Sequence, residues 1–221
     1  METLLHFLQD FQNNYKSIIS DCFYGVLETK NQCSGCNTIK YNFQIYSFLE
    51  FPLEQVNIYC FQNGRRNALI NNDGSKPDVD LLECFDYYQK IEMMTGDNQM
   101  YCNFCQANLN AYYNTSLYSL PLYLIINLNR GKNAVYQCKV NFPEKLNLLN
   151  YVSYKSGVIA LKLYAVICHY GPSSMSGHFI AYCRNQKDNK WYSYNDSIVT
   201  ECTKPNPYND GMPYILFYKS V

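Results

Sequence analysis

The chain has 221 residues, 48% of them hydrophobic and 16% charged, with 18 basic residues against 18 acidic ones. That composition supports a packed core and excludes wholesale disorder. Zero net charge leaves no basic field for a nucleic acid backbone and no acidic tail, so no nucleic acid partner is expected.

The N-terminal METLLHFLQDF has no basic leader region, and Glu2, His6 and Asp10 interrupt its apolar character, so it does not read as a signal peptide. Leu4, Leu5, Leu8 and Phe11 recur at helical spacing and predict a helix over residues 2–14, with His6 on its surface. Residues 17–29 move toward strand character, and residues 40–53 alternate apolar and polar in a strand pattern. Residues 62–77, rich in Asn, Gly and charge, read as a loop. Pro77 and Asp78 lead into a helix over DVDLLECFDYYQKIE, on which Leu81, Leu82, Phe85 and Tyr88 share a face. Residues 115–130 form a long strand candidate broken by Pro121. Further strands are expected at 136–142, 159–170, 177–183, 190–195 and 213–219. The longest apolar run, LPLYLIINL, is too short to span a bilayer, so no membrane partner is expected. Helix, strands, helix and then mostly strands predict an α+β fold rather than a wound parallel sheet.

Eleven cysteines without an export signal point to metal or catalytic use rather than disulfides. Cys33-Ser34-Gly35-Cys36 and Cys102-Asn103-Phe104-Cys105 are two CxxC knuckles. Four thiolates are the ligand number of a closed, tetrahedral, structural zinc site. Residues 37–101 separate the knuckles, so such a site would tie two distant hairpins together. Neither pair follows a βαβ pattern, which weakens a redox reading.

His169 and His178 lie in HYGPSSMSGHF, where Gly171 and Gly177 bracket a flexible loop between two strands. Asn195 follows His178 across a tight strand connection, with Asp196 next to it and Trp191 expected beneath the turn. A base and the group that orients it can meet in this way, because adjacent strands lie about 5 Å apart.

HYGPSSMSGHFIAY followed by WYSYND resembles the histidine box of the ubiquitin-specific proteases, papain-like cysteine proteases that remove ubiquitin. Five further blocks are similar and stand in the family's order: SIISDCFYGVLETKNQCSGC, FLEFPL, LLECFDYYQKIEMMTGDNQMYCNFC, SLPLYLIINLNR and PYILFYK. The resemblance implies a papain-like fold with an antiparallel palm sheet and zinc-binding fingers, lacking most of the thumb. It implies one partial catalytic domain over 1–221, with a thumb remnant at 1–29, mainly fingers at 30–115 and mainly palm at 116–221. His178 would be the general base, Asn195 the third member of the triad and Asp196 a supporting acidic residue. His169 would lie near the loop over the ubiquitin tail without being catalytic. Gly131 departs from the family pattern, in which an aromatic follows the strand arginine, here Arg130.

The family's nucleophilic cysteine stands in a GNTCYMN-type box upstream of every block matched, and these residues contain no such box. Cys183 is at an odd offset from His178 on one expected strand, which predicts opposite faces, and Cys168 should face away from His169 for the same reason. Cys22, Cys60, Cys138 and Cys202 have no base nearby in sequence, and the resemblance implies that Cys84, in the helix before the second knuckle, is a structural cysteine. The implied function is cysteine-type deubiquitination, with ubiquitin and ubiquitinated proteins as partners, inside the cell. The 221 residues alone are expected to be inactive, the thumb coming from a missing segment or another chain. Competing readings are a catalytically dead ubiquitin-binding module and a zinc-stabilised scaffold.

Overall fold

The computed structural model describes residues 2–173, 176–205 and 211–221. Helix α1 (Glu2–Tyr15) occupies its expected span. The next segment does not: Ile18–Phe23 is a short helix, α2. Ser17 Oγ accepts from the Ser20 N–H at 3.1 Å while the Ser17 N–H donates to Ser20 Oγ at 2.8 Å. This capping box satisfies two backbone donors locally and outweighs the strand preference of Ile18 and Ile19.

Strands β1 (Gly25–Cys33) and β2 (Ile39–Tyr46) form a hairpin, and β3 (Leu49–Pro52) follows. Leu53, expected at a strand end, instead starts α3 (Leu53–Gln62), whose Leu53, Val56 and Cys60 form one buried face at helical spacing. After the 62–77 loop the expected long helix is trimmed at both ends. Val79–Asp80 is strand β4, paired in parallel with residues 140–141, and α4 spans only Leu81–Tyr88. Beyond it, β5 (Glu92–Met94) pairs with residues 111–113.

Strands β6 (Met100–Cys102) and β7 (Ala107–Leu109) form a separate ribbon. Pro121 parts β8 (Ala111–Ser119) from β9 (Tyr123–Asn129), as the sequence predicts. The strand expected at 136–142 shrinks to β10 (Val140–Asn141). The buried Arg130 guanidinium donates to the Tyr136 and Cys138 carbonyls at 3.3 and 2.8 Å, so those acceptors serve a side chain and not a ladder. The remaining strands are β11 (Lys145–Asn147), β12 (Ala160–Ser173), β13 (Ser176–Arg184), β14 (Trp191–Asn195), β15 (Ile198–Cys202) and β16 (Met212–Ser220). Within the loop expected between Gly171 and Gly177, Ser173 pairs with Ser176 after an irregularity in the ladder between Tyr170 and Ser173; Ser174 and Met175 lie outside the described residues.

The chain divides into two compact units. The first comprises Met1–Ser47, Tyr88–Leu122 and Leu148–Ile159. Its sheet runs β2-β1-β8-β5, with β1 central and antiparallel to both neighbours. Val26, Leu27, Leu117 and Val152 are buried there, and Phe7 of α1 lies 6.2 Å from the Phe43 ring of β2. The second comprises Phe48–Tyr87, Tyr123–Asn147 and Ala160–Val221. Its sheet runs β15-β14-β13-β12-β16-β9-β3, with β11 on β12, and every pair is antiparallel except β3 with β9. The α+β expectation holds, and antiparallel pairing dominates.

Along β9, Leu124, Ile126 and Leu128 alternate into the core. Phe51 of β3 is fully buried and meets Phe85 of α4 edge-on at 5.0 Å. Phe51→Ala is therefore expected to destabilise the second unit by about 3–5 kcal/mol. A denaturant titration checks this: the midpoint should fall at an unchanged slope, and a loss below about 1 kcal/mol would contradict the packing described.

Candidate catalytic and metal sites

The four knuckle cysteines converge in the first unit, with their sulfurs all within 4.8 Å of one another. Cys36 Sγ lies 3.6 Å from Cys102 Sγ. A tetrahedral ion with Zn–S bonds of about 2.3 Å requires sulfur separations near 3.8 Å, so the cluster fits that geometry. Both knuckles use the same turn. Asn37 and Gln106 each follow the second cysteine at positive φ (59° and 54°) and return an N–H to the first cysteine's carbonyl, at 2.9 and 2.8 Å. The Gly35 N–H also points at Cys33 Sγ, at 3.4 Å.

The thiols influence one another's protonation. Thr38, by its hydroxyl and its backbone N–H, draws the Cys36 thiol down to about 6, whereas hydrogen bonding to the neighbouring thiols, Cys36 foremost, pushes Cys105 up to about 12. Four sulfurs this close cannot all be thiolates unless a positive ion sits among them. Thr38 had no signal in the sequence; its contact with Cys36 appears only in the folded turn.

The histidine site lies in the second unit. The β12–β13 register sets Tyr170 opposite His178 and His169 opposite Phe179, so the two histidines occupy opposite faces of the ladder. His178 Nε2 lies 2.5 Å from Asn195 Oδ1, and Asp196 Oδ2 lies farther off, at 3.9 Å from the same nitrogen. These are the polar partners of the imidazole among the described residues. Strand β15, absent from the sequence reading, explains the difference. Asn195 pairs with Ile198, which leaves Asp196 in a two-residue hairpin turn at φ 51° with its side chain 83% exposed. Short polar residues such as Asp tolerate that left-handed position. Trp191 is buried and pairs with Arg184 and Cys202 at the far end of β14.

An amide oxygen accepts only, so Nε2 must carry the proton shared with Asn195. Nδ1 is then the lone-pair nitrogen, and His178 can act as a base there. Cys183 lies on the face opposite His178, as its odd spacing predicts. Cys168 pairs with Ile180 and shares the face of His178, a proximity that adjacent-residue reasoning missed. It is buried, and diagonal neighbours of this kind lie about 7–8 Å apart, too far for a thiol–base contact.

On the other face, His169 is buried, its ring centroid 4.6 Å from Phe179 and 5.4 Å from Tyr214. Gly177 stands at φ 153°, and a Cβ there would run into the His169 imidazole and the Tyr170 carbonyl. Gly177→Ala is thus expected to shift the His178 backbone and to destabilise the second unit by about 1–3 kcal/mol. NMR of the His178 ring protons together with thermal unfolding checks this; unchanged shifts and midpoint would overturn it.

Comparison with known proteins follows the same outline. The sequence matches the ubiquitin carboxyl-terminal hydrolase family over residues 1–218. It is 33% identical over 155 residues to ubiquitin carboxyl-terminal hydrolase 48 of Rattus norvegicus, covering 63% of this chain and 15% of that protein. It is 27% identical over 215 residues to ubiquitin carboxyl-terminal hydrolase 2 of Gallus gallus, covering 95% of this chain and 55% of that protein. The fold resembles that of a chain in the SAGA DUB module of Ubp8, Sgf11, Sus1 and Sgf73 bound to monoubiquitin, with a TM-score of 0.71 and 23% identity over 100% of this chain and 48% of that one. A yeast SAGA DUB module gives a TM-score of 0.69 and 24% identity, over 96% of this chain and 44% of that one. The chain thus spans about half, or less, of the length of these relatives. With a match running across nearly all its residues, the chain belongs to the ubiquitin carboxyl-terminal hydrolase family.

Proposed function

We propose that this chain is the finger and palm portion of a cysteine-type deubiquitinase that hydrolyses the isopeptide bond after ubiquitin's C-terminal glycine. The observation that carries the reading is the 2.5 Å contact of His178 Nε2 with Asn195 Oδ1, in a chain of this family. Residues 1–29 are assigned to a thumb remnant, 30–115 mainly to fingers and 116–221 mainly to palm. The four-cysteine cluster supports a structural zinc ion held by Cys33, Cys36, Cys102 and Cys105.

In the proposed reaction, His178 Nδ1 takes the proton of a cysteine thiol, and the thiolate attacks the isopeptide carbonyl. His178 then protonates the departing lysine amine, leaving a thioester. Water attacks the thioester with His178 as base, which releases ubiquitin and restores the thiol. Asn195 holds the tautomer, and Asp196 supports it at longer range. The thiol is assigned to a thumb segment outside these residues, so the chain alone is proposed to be inactive. The partners are ubiquitin and ubiquitinated proteins, and the compartment is intracellular.

The test is a ubiquitin probe with a thiol-reactive tail, run beside NMR titration with ubiquitin. The expected result is ubiquitin-induced shifts without covalent labelling by the chain alone, and labelling once a thumb segment carrying the nucleophile is supplied. Labelling of the chain alone would overturn the inactivity proposal. Absence of ubiquitin shifts would favour a zinc-stabilised scaffold, and shifts without rescue would favour a binding module.

A further inference from the structure

Charge is unevenly placed in the second unit. The register of β11, β12 and β16 sets Lys145 directly opposite Lys162 and Lys162 directly opposite Lys219. Directly opposed residues share a sheet face, so three ammonium-bearing side chains stand in a row across three strands. Like charges at such positions repel and destabilise the sheet. The chain as a whole is neutral, so the excess is local.

Arg184 of β13 joins this group. With Lys162, Tyr164, Asn185, Lys219 and Val221 among its other lining residues, it borders a cavity of ≈ 310 Å³. Among the described residues, one side-chain carboxylate is ion-paired with these cations: Glu144 Oε1 lies 2.5 Å from Arg184 Nη1 and 3.8 Å from Lys162 Nζ. The Arg184 hydrogen bond foremost, with Lys162 and Lys204 adding, holds the Glu144 carboxyl below its usual range, so it is already shared. Among the described residues Lys145 and Lys219 have no acidic partner. Arg184 Nε donates to the Asn189 carbonyl at 3.3 Å, and among the described residues Nη2 has no hydrogen-bond acceptor. The Arg184 and Lys162 side chains are only 18% and 27% exposed, so their field is less screened than that of free surface charges. Asn185 Oδ1 accepts from the Lys187 N–H at 2.9 Å.

We propose that this cavity binds a small polyanion carrying two or more phosphate groups, with Lys162, Lys219 and Arg184 Nη2 as its charged donors. Small-molecule sites begin at about 300 Å³, and a single water occupies only about 30 Å³, so the cavity is matched to a molecule and not to one ion. A cavity of this volume, with cations contributed by three neighbouring strands, suits compact phosphates better than an extended acidic peptide. The inference does not depend on the deubiquitinase reading, since both its observations and its test concern binding alone.

Calorimetric titration of the full chain tests it, with inositol hexakisphosphate as probe and a polyglutamate peptide as competitor class. Binding by the hexakisphosphate is expected, weakening as salt rises through the range where the Debye length falls below about 10 Å. Lys219→Gln is expected to weaken it at least about tenfold and Lys219→Arg to retain it, with the thermal midpoint of the free protein not lowered, because Lys219 has no acidic partner to lose. Vesicles containing phosphoinositide form a second arm. Retention on vesicles, competed by the free probe, would place the phosphates on a lipid, and binding of the free probe alone would place them on a soluble molecule. No binding of either phosphate probe, tighter binding of the peptide, or an unchanged affinity in Lys219→Gln would overturn the proposal.

Discussion

Cys102→Ser is expected to abolish stoichiometric zinc binding and to melt the tip of the first unit. A structural zinc ion bound by small peptides is worth about 10–16 kcal/mol at neutral pH, comparable to the whole stability of a domain, about 5–15 kcal/mol. The ribbon β6–β7 depends on it most. It is a two-stranded pair on its own sheet, and isolated hairpins of that kind are marginal in water. Loss of one ligand also leaves three sulfurs within 4.8 Å without a cation to offset them. Elemental analysis of the purified variant should find no retained zinc, and hydrogen exchange should show lost protection across β6, β7 and the knuckle turns. The central pairing of β1 with β8, eight residue pairs long, should exchange more slowly than the tip. Retained zinc with unaltered protection would remove the cluster's assigned role.

The second large effect belongs to the histidine site. In an enzyme reconstituted with its nucleophile, His178→Ala should lower turnover on the order of 10⁶-fold, the scale seen when the base of a serine-protease triad is removed. Asn195→Ala should cost less, about 10²–10⁴-fold, because the imidazole stays but its tautomer and orientation are no longer held. Asn195→Asp should retain most of the activity, since a carboxylate oxygen accepts the same Nε2–H bond. Asp196→Asn should change little, given its 3.9 Å separation and exposure. Steady-state kcat/KM on a ubiquitin–fluorophore conjugate, beside thermal midpoints for each variant, separates these outcomes. If Asp196→Asn lost as much as Asn195→Ala, the assignment of Asn195 as the orienting residue would be wrong.

The readable parts of the fold were those in which spacing alone decides. Leu4, Leu5, Leu8 and Phe11 placed α1, and the alternating stretches around His178 and after Trp191 placed β13 and β14. Misreadings arose where a hydrogen bond from outside the local pattern took over. The Ser17–Ser20 capping box turned an Ile-rich stretch into helix, and Arg130 took carbonyls that a longer β10 would have used. Strand β4 existed only because residues 140–141 were there to pair with it, which no local window contains.

By itself the sequence determined the chemical inventory of this protein: two thiol pairs at knuckle spacing, a histidine followed by an Asn-Asp pair, an arginine at a strand end, and family blocks in order. Side-chain type and spacing along one element are local properties, and they need no knowledge of what lies opposite. Only the tertiary structure decided which of Asn195 and Asp196 meets the imidazole, which histidine shares a face with Cys168, and that three lysines from three strands stand in one row. Those facts depend on strand register, which ladder hydrogen bonds and the burial of residues such as Leu161, Leu163 and Leu216 set between segments distant in sequence.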